Sequence, residues 1–172
     1  MIAELGHFSL ILAFGIALVQ MIVPMIGAHK GWRNWMAVGD PAAVSQLLLV
    51  GVAFAALTYS FVVSDFSLRL VVLNSHSAKP MLYKVSGVWG NHEGSMLLWL
   101  FILTLFGACA VFFGGNLPAT LKARVLAVQS SISVAFYLFI LLTSNPFIRL
   151  EVPPFDGQDL NPLLQDPGLA FH

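Results

Sequence analysis

Four long apolar stretches, none of which carries a charged residue or a histidine, constrain what this chain can fold into. They cover residues 8–28, 41–64, 94–117 and 125–148. An α-helix needs about 20 apolar residues to cross a bilayer, so each stretch is long enough for one crossing. Charged residues make up 9% of the 172 positions, against roughly a quarter in a soluble domain. The sequence therefore predicts an all-α membrane protein with four transmembrane helices and two extracytoplasmic loop segments.

The distribution of basic residues predicts the orientation of these helices. The two short connections, residues 29–40 and 116–124, hold four Lys or Arg in 21 positions, whereas the remaining polar segments hold four in 60. Because basic residues are enriched in cytoplasmic loops, we expect the short connections to face the cytoplasm. The N-terminus and the segments 65–93 and 149–172 are then extracytoplasmic. The first stretch lacks a preceding Lys or Arg and is too long for a signal peptide, which predicts a retained helix.

The composition also excludes several functions. The formal net charge is 0 and no basic patch runs along the chain, which argues against nucleic-acid binding. Cys109 is the only cysteine, so the chain can form neither an internal disulfide nor a C-x-x-C-H haem attachment of its own. The apolar stretches lack the ionisable groups that mark proton or ion pathways. Gln129, Ser133 and Tyr137 recur every fourth residue, and we expect this face of the last helix to hydrogen-bond a neighbouring helix.

The most informative polar motif spans residues 89–99, W-G-N-H-E-G-S-M-L-L-W, at the start of the third stretch. It gathers Trp89, His92, Glu93 and Trp99 at a predicted membrane–water boundary, and Asn91 is the expected helix N-cap. The residues admit two interpretations. One is an aromatic belt with an interfacial histidine, and the other is a direct part in holding a flat, apolar ligand. A zinc-protease site is excluded, because position 96 of the H-E-x-x-H pattern is Met.

The last segment, 149–172, contains four prolines, which predicts a stiff, extended strap rather than a helix. Its aspartates lack the spacing and the terminal Glu of a calcium loop. The strap ends in an apolar G-L-A-F-H run, which we interpret as the start of a fifth helix. His172 is the candidate metal ligand, because imidazole nitrogen binds haem iron. The alternative is a helix-start histidine bonded to the backbone.

Several motifs, occurring in order, resemble the CcmF/NrfE family of haem-lyase subunits in cytochrome c-type biogenesis. Besides residues 89–99, they are E-L-G-H at 4–7, S-D-F-S at 64–67, P-M-L-Y-K at 80–84, S-N-P-F at 144–147 and D-G-Q-D-L-N-P-L-L-Q-D-P at 156–167. The match runs through the whole chain. It implies that residues 1–172 are the N-terminal transmembrane part of a larger polytopic bundle in the bacterial inner membrane, with the N-terminus in the periplasm.

The resemblance also implies a function and partners. Family members attach haem to the C-x-x-C-H motif of apocytochrome c through thioether bonds at the periplasmic face. The haem, delivered as haem b, comes from the chaperone CcmE, and CcmH-type and CcmI-type proteins handle the thiols and the apocytochrome. By its place after the strap, His172 matches the first periplasmic haem ligand of the family. Trp89, His92, Glu93 and Trp99 are then expected to shape the surface that binds the cofactor.

The family's tryptophan-rich haem motif, second periplasmic histidine and intramembrane histidines have no counterpart within these 172 residues. We therefore expect this segment alone to be inactive as a haem lyase. Two alternatives stay open at this point, a transporter or proton-translocating membrane subunit and a non-catalytic membrane scaffold.

Overall fold

The computed structural model describes residues 1–159, which form seven helices. These are α1 Ile2–Lys30, α2 Arg33–Ala37, α3 Gly39–Val62, α4 Arg69–Asn74, α5 Met81–Ser86, α6 His92–Phe113 and α7 Ala119–Leu142. Four of the segments are long and apolar enough to cross a membrane, namely α1, α2 with α3, α6 and α7. Within residues 1–159 there is no β-strand, only one isolated bridge between Leu68 and Arg149. The prediction of an all-α membrane protein with four transmembrane helices is confirmed.

The four long helices pack as a closed ring. The first, α1, contacts α3 and α7, and α6 completes the ring by contacting both α3 and α7. Small residues on α1 and α3, such as Ala13, Ala17 and Ala53, are fully buried and let these helices approach closely. Large side chains fill the remaining space, among them Leu57, Phe61, Leu97, Leu100 and Tyr137.

Buried amides connect three of the four helices in the middle of the bundle. Gln20 Nε2 of α1 donates to the Leu126 carbonyl of α7 at 3.0 Å, and Gln46 Nε2 of α3 donates to Gln20 Oε1 at 2.8 Å. Tyr137 completes the network by donating its hydroxyl to Gln46 Oε1 at 3.2 Å. Each amide thus has a partner where water is absent, which removes a cost of several kcal/mol per unpaired group.

The predicted polar face of α7 makes two of its three expected contacts. Tyr137 reaches α3 as described, and Gln129 Nε2 donates to the Leu103 carbonyl of α6 at 2.5 Å. Ser133, in contrast, donates to the Gln129 carbonyl of its own helix at 3.3 Å. A serine hydroxyl in an apolar helix commonly donates its hydrogen bond to a carbonyl of the preceding turn.

The ends of the helices differ from the ends of the apolar stretches. The largest difference is at α7, which begins at Ala119 directly after Pro118 and ends at Leu142. Residues 143–148 carry no charge but include Asn145 and Pro146, and they turn back over the bundle instead of extending the helix. Apolar composition reports burial or lipid contact, whereas helix ends depend on proline and on capping groups.

The connection between α3 and α6 carries the two short helices α4 and α5. Residues 70–73 belong to the helix α4. Residues 149–159 contain no helix, and their last two residues donate backbone hydrogen bonds to the carbonyls of Val72 and Ser75, at the end of α4. We refer to the end of the bundle that carries α4, α5 and this strap as the loop end. The opposite end, with Lys30, Arg33, Lys122 and Arg124, is the basic end.

Candidate functional site

The turn before α6 is organised by Asn91. Its side-chain oxygen accepts a hydrogen bond from the Gly94 N–H at 2.7 Å, which makes it the N-cap that the sequence predicted. Its amide nitrogen donates backward to the carbonyls of Gly87 at 2.8 Å and Val88 at 3.2 Å. One side chain therefore caps the helix and holds the preceding turn against it.

Gly94 and Ser95 bring this turn close to the helix. A Cβ atom at Gly94 would overlap the carbonyl oxygen of Val88, so only glycine fits there. Ser95 Oγ donates to the Trp89 carbonyl at 2.6 Å. The glycine and serine of the G-N-H-E-G-S sequence thus have a structural role, which is to fix where Trp89 lies relative to α6.

The two tryptophans of the motif lie in different surroundings. Trp89 is half-buried and packs against the main core. Trp99 is 62% exposed and lines a cavity of about 370 Å³ between α6 and α7. We call this cavity the aromatic crevice, and it is lined by Trp99, Ile102, Leu103, Phe106, Ile132 and Phe136.

His92 lies on the same face of α6 as Trp99, because seven residues make almost two full turns and a rise of about 10 Å. It is exposed, and its ring meets Phe139 of α7 edge-on, with centroids 5.8 Å apart. Glu93, in the first turn of α6, is half-buried. The structure therefore brings His92 and Trp99 to the line where α6 meets α7, while Trp89 turns toward the core.

The S-D-F-S motif forms a turn that is tied to the end of α5. Asp65 accepts hydrogen bonds from the N–H of Ser67 at 3.2 Å and from its hydroxyl at 2.6 Å. Ser64 has a positive φ of 56°, and its hydroxyl accepts a hydrogen bond from Lys84 Nζ at 2.8 Å. Two motifs that are 20 residues apart are therefore parts of one contact.

The E-L-G-H and S-N-P-F motifs also meet. His7 Nε2 lies 3.1 Å from Asn145 Nδ2, and the His7 ring stacks on Phe147. Glu4 forms an ion pair with Arg149 at 2.5 Å. A Cβ at Gly6 would lie 2.7 Å from the Phe147 ring, so glycine is needed for this approach. The start of α1 is thus joined to the segment that follows α7.

The strap is attached to the loop between α4 and α5 by a group of contacts that we call the strap clip. Asp156 accepts hydrogen bonds from the Ser77 N–H at 2.9 Å and from its hydroxyl at 2.5 Å, and His76 Nε2 lies 3.4 Å from the same carboxylate. Farther along, the Gln158 N–H donates to the Val72 carbonyl at 2.7 Å. The hydrogen bonds from Ser77 lower the pKa of Asp156 to about 2, so its carboxylate is charged at any physiological pH.

Lys79 adds a buried cation beside the clip. Its side chain is 1% exposed, and its ammonium group pairs with Asp159 at 3.1 Å and donates to the Asn74 carbonyl at 3.1 Å. Burial lowers the pKa of Lys79, and the hydrogen bond that its ammonium donates to Asp159 acts in the opposite direction. An ammonium in this position is retained only because both partners are present.

Comparison with known proteins identifies the family. Residues 89–172 match the family described as Cytochrome C assembly protein. The whole chain is 68% identical to cytochrome c-type biogenesis protein ccl1 of Rhodobacter capsulatus, covering 26% of that protein. It is 44% identical to cytochrome c-type biogenesis protein CcmF of Escherichia coli, covering 27% of it. A solved structure titled Cytochrome c Heme Lyase CcmF superposes with a TM-score of 0.78 and 26% identity, over 86% of this chain and 25% of that one.

Over its whole length the chain is similar to proteins of the CcmF family. This confirms the resemblance that the sequence motifs carried. The chain spans about a quarter of the length of the relatives that it matches. The solved CcmF structure also supports the arrangement of the helices. Placed on this fold, the parts of the family motifs that fall within residues 1–159 lie at the loop end.

His172, the residue assigned to iron ligation, lies outside the described residues, as do positions 160–171. Within residues 1–159 no group of three His, Cys, Asp or Glu side chains is arranged to hold a metal ion. Of the predicted site residues, His92 and Trp99 line the junction of α6 and α7. No sequence pattern indicated Ser77, His76 or the buried glutamines, because their partners are distant along the chain.

Proposed function

We propose that this chain is the part of a haem lyase for c-type cytochromes that forms the periplasmic surface beside the arriving haem. The bundle would lie in the bacterial inner membrane, with the N-terminus and the loop end in the periplasm. Haem b is the substrate, and its vinyl groups accept the cysteine thiols of apocytochrome c. In that addition a C–S bond forms at one vinyl carbon, and the thiol hydrogen ends on the other.

One observation carries this proposal. The described parts of the family motifs lie at the loop end, where two pairs of them are in contact, and α6 leads from His92 at this end to the aromatic crevice at Trp99. A porphyrin is flat and apolar except for its iron and carboxylates, so it suits a surface of exposed aromatic rings with an imidazole near the edge. Among the site residues, His92 and Trp99 are exposed and share one face of α6.

His172 would supply an axial nitrogen to the haem iron, and the histidine of the cytochrome would replace it when the product leaves. The strap that leads to His172 is held at Asp156 by the strap clip. Trp89 and Glu93 would support the surface from behind, because the first packs on the core and the second lies in the capped turn. The haem chaperone CcmE and the CcmH-type and CcmI-type proteins are the proposed partners, together with apocytochrome c.

The ligand role is tested by His172→Ala in the full-length protein. We expect loss of haem capture from the chaperone and a fall in cytochrome c yield, because an axial bond to iron is removed. Capture is read from the Soret absorption of purified protein, and yield from haem staining of the cytochromes. His29→Ala, a histidine at the basic end, is the matched control. Unchanged capture and yield in His172→Ala would overturn the assignment.

A second test addresses the crevice. Trp99→Ala should reduce haem capture while leaving the melting temperature of the protein within a few degrees, because the Trp99 side chain is 62% exposed. Phe112→Ala is the control, since Phe112 is 67% exposed on the same helix but does not line the crevice. If both variants capture haem as the native protein does, the crevice has no part in substrate binding.

A further inference from the structure

The basic end carries a cavity that is lined by one cationic residue and two tryptophans. After α1 ends, Gly31 adopts a positive φ of 72° and the chain turns into α2. Trp32, Arg33, Asn34 and Trp35 line a cavity of about 430 Å³ there. The two indoles meet edge-on with centroids 5.0 Å apart, and they are 44% and 40% exposed.

The positions of these groups are fixed by close packing. A Cβ atom at Gly27 would lie 2.7 Å from the backbone nitrogen of Met36, so α2 is packed directly on the last turn of α1. The Trp32 N–H donates to the Gly27 carbonyl at 2.9 Å. Lys30 Nζ lies 4.6 Å above the Trp32 ring, a distance typical of a cation–π contact. The cavity therefore has walls that are held in place, and one of them carries a cation.

The basic end has more basic residues than acidic ones. Residues 29–40 and 114–124 hold Lys30, Arg33, Lys122 and Arg124 but only one acid, Asp40. That acid pairs with Lys122 at 2.8 Å, next to a second cavity of about 280 Å³ that Arg33 also lines. Within residues 1–159, neither Lys30 nor Arg33 has a carboxylate partner at ion-pair distance. Two cations beside the tryptophan cavity are therefore available to an anion.

We propose that the basic end binds an anionic phospholipid, with its phosphate between Lys30 and Arg33 and its glycerol region against Trp32 and Trp35. Charge complementarity favours an anion, and the indoles favour a ligand that is part polar and part apolar, as a lipid is at the membrane boundary. Exposed Met25 and Ile22 lie within about 12 Å along α1 and offer apolar contact to an acyl chain. A free phosphate ion would make no use of these apolar groups.

The proposal is tested by native mass spectrometry of the full-length protein in an uncharged detergent. The protein is titrated with phosphatidylglycerol and, separately, with phosphatidylcholine that carries the same acyl chains. We expect preferential retention of phosphatidylglycerol. Lys30→Gln and Arg33→Gln should each weaken its binding about fivefold, the usual effect of one basic residue near an anionic lipid. Phosphatidylcholine binding should stay unchanged in both variants.

Arg124→Gln is the matched control, because it removes the same charge from the same end but lies in a separate apolar groove on α7. It should leave phosphatidylglycerol binding within twofold of the native protein. An equal loss in Arg124→Gln would overturn the proposal by indicating general attraction to charge. Equal binding of the two lipids, or displacement of phosphatidylglycerol by millimolar inorganic phosphate, would overturn it as well. Lys30→Gln and Arg33→Gln should have the same melting temperature as the native protein, because both side chains are exposed. Their lipid binding is compared with that of the native protein on this condition.

Discussion

Single residues at the turn before α6 determine where the signature side chains lie. Asn91 was predicted as the N-cap from its type and place, because a short amide before an apolar run is a local signal. The role of Gly94 was not predictable in this way, since it depends on the approach of the Val88 carbonyl in three dimensions. The contact of His92 with Phe139 was not predictable either, because the two rings belong to different helices.

Gly94→Ala should destabilise the protein by about 1–3 kcal/mol, the usual cost of inserting a methyl group where none fits. The reason is the overlap of the new Cβ with the Val88 carbonyl. Thermal unfolding in detergent measures the effect. Gly15→Ala on α1 is the control, since nothing lies within 4 Å of a Cβ at Gly15. Equal melting temperatures of the two variants would contradict the proposed close approach.

Asn91→Asp and Asn91→Ala separate the two roles of the cap. The aspartate retains an acceptor for the Gly94 N–H but loses the donors to Gly87 and Val88. We expect Asn91→Ala to cost about 1 kcal/mol for the lost cap, plus the loss of the backward hydrogen bonds. Asn91→Asp should be less destabilising, because only the second loss applies. A melting temperature for Asn91→Asp below that of Asn91→Ala would be inconsistent with this division.

At the scale of elements, the number and type of the long helices followed from apolar length alone. Their ends did not, because the helix start at Ala119 depends on Pro118 and the helix end at Leu142 on the turn that follows. The absence of a helix from the strap up to residue 159 followed from its prolines. Its attachment was not predictable, since Asp156 and Ser77 are 79 residues apart. An aspartate in a proline-rich segment has no local feature that identifies its partner.

The strap clip should be sensitive to acid. Because the pKa of Asp156 is lowered to about 2, its stabilising effect is fully present above about pH 4, the ordinary range of aspartate, and is lost as the pH falls toward 2. The protection of the Ser77 amide against hydrogen exchange, corrected for the intrinsic rate, should fall over that interval. In Asp156→Asn the protection should be low and independent of pH. The same pH dependence in Asp156→Asn would assign the effect to another group.

At the scale of the whole molecule, the sequence motifs indicated the family but not which motif meets which. The structure pairs the N-terminal motif with the segment after α7, and the second motif with the end of α5. Such pairings depend on the order of helices around the ring, which apolar length does not encode. The glutamine network is a further example. Gln20 and Gln46 are ordinary polar residues in apolar stretches until α1, α3 and α7 are packed together.

The network should contribute to the packing of the ring. Tyr137→Phe removes one hydrogen bond to Gln46 and should cost about 0.6 kcal/mol, the average for such bonds between membrane helices. Gln46→Leu leaves both Gln20 and Tyr137 without this partner and should cost more, about 1–2 kcal/mol. The double variant should cost less than the sum, because the two changes break a shared bond. Strict additivity in unfolding measurements would contradict the shared network.

The Gln20 amide has a consequence for synthesis. Its carbonyl partner, Leu126, is 106 residues later in the chain. At ribosomal speeds of 5–20 residues per second, roughly 5 to 20 s pass before that partner has been made. If α1 entered the lipid alone, its amide would be exposed there, and Gln46 is the first side chain made that can pair with it. Nascent α1 should therefore stay beside the insertion machinery until α3 follows. In the Gln20→Leu variant, α1 should leave the insertion machinery sooner.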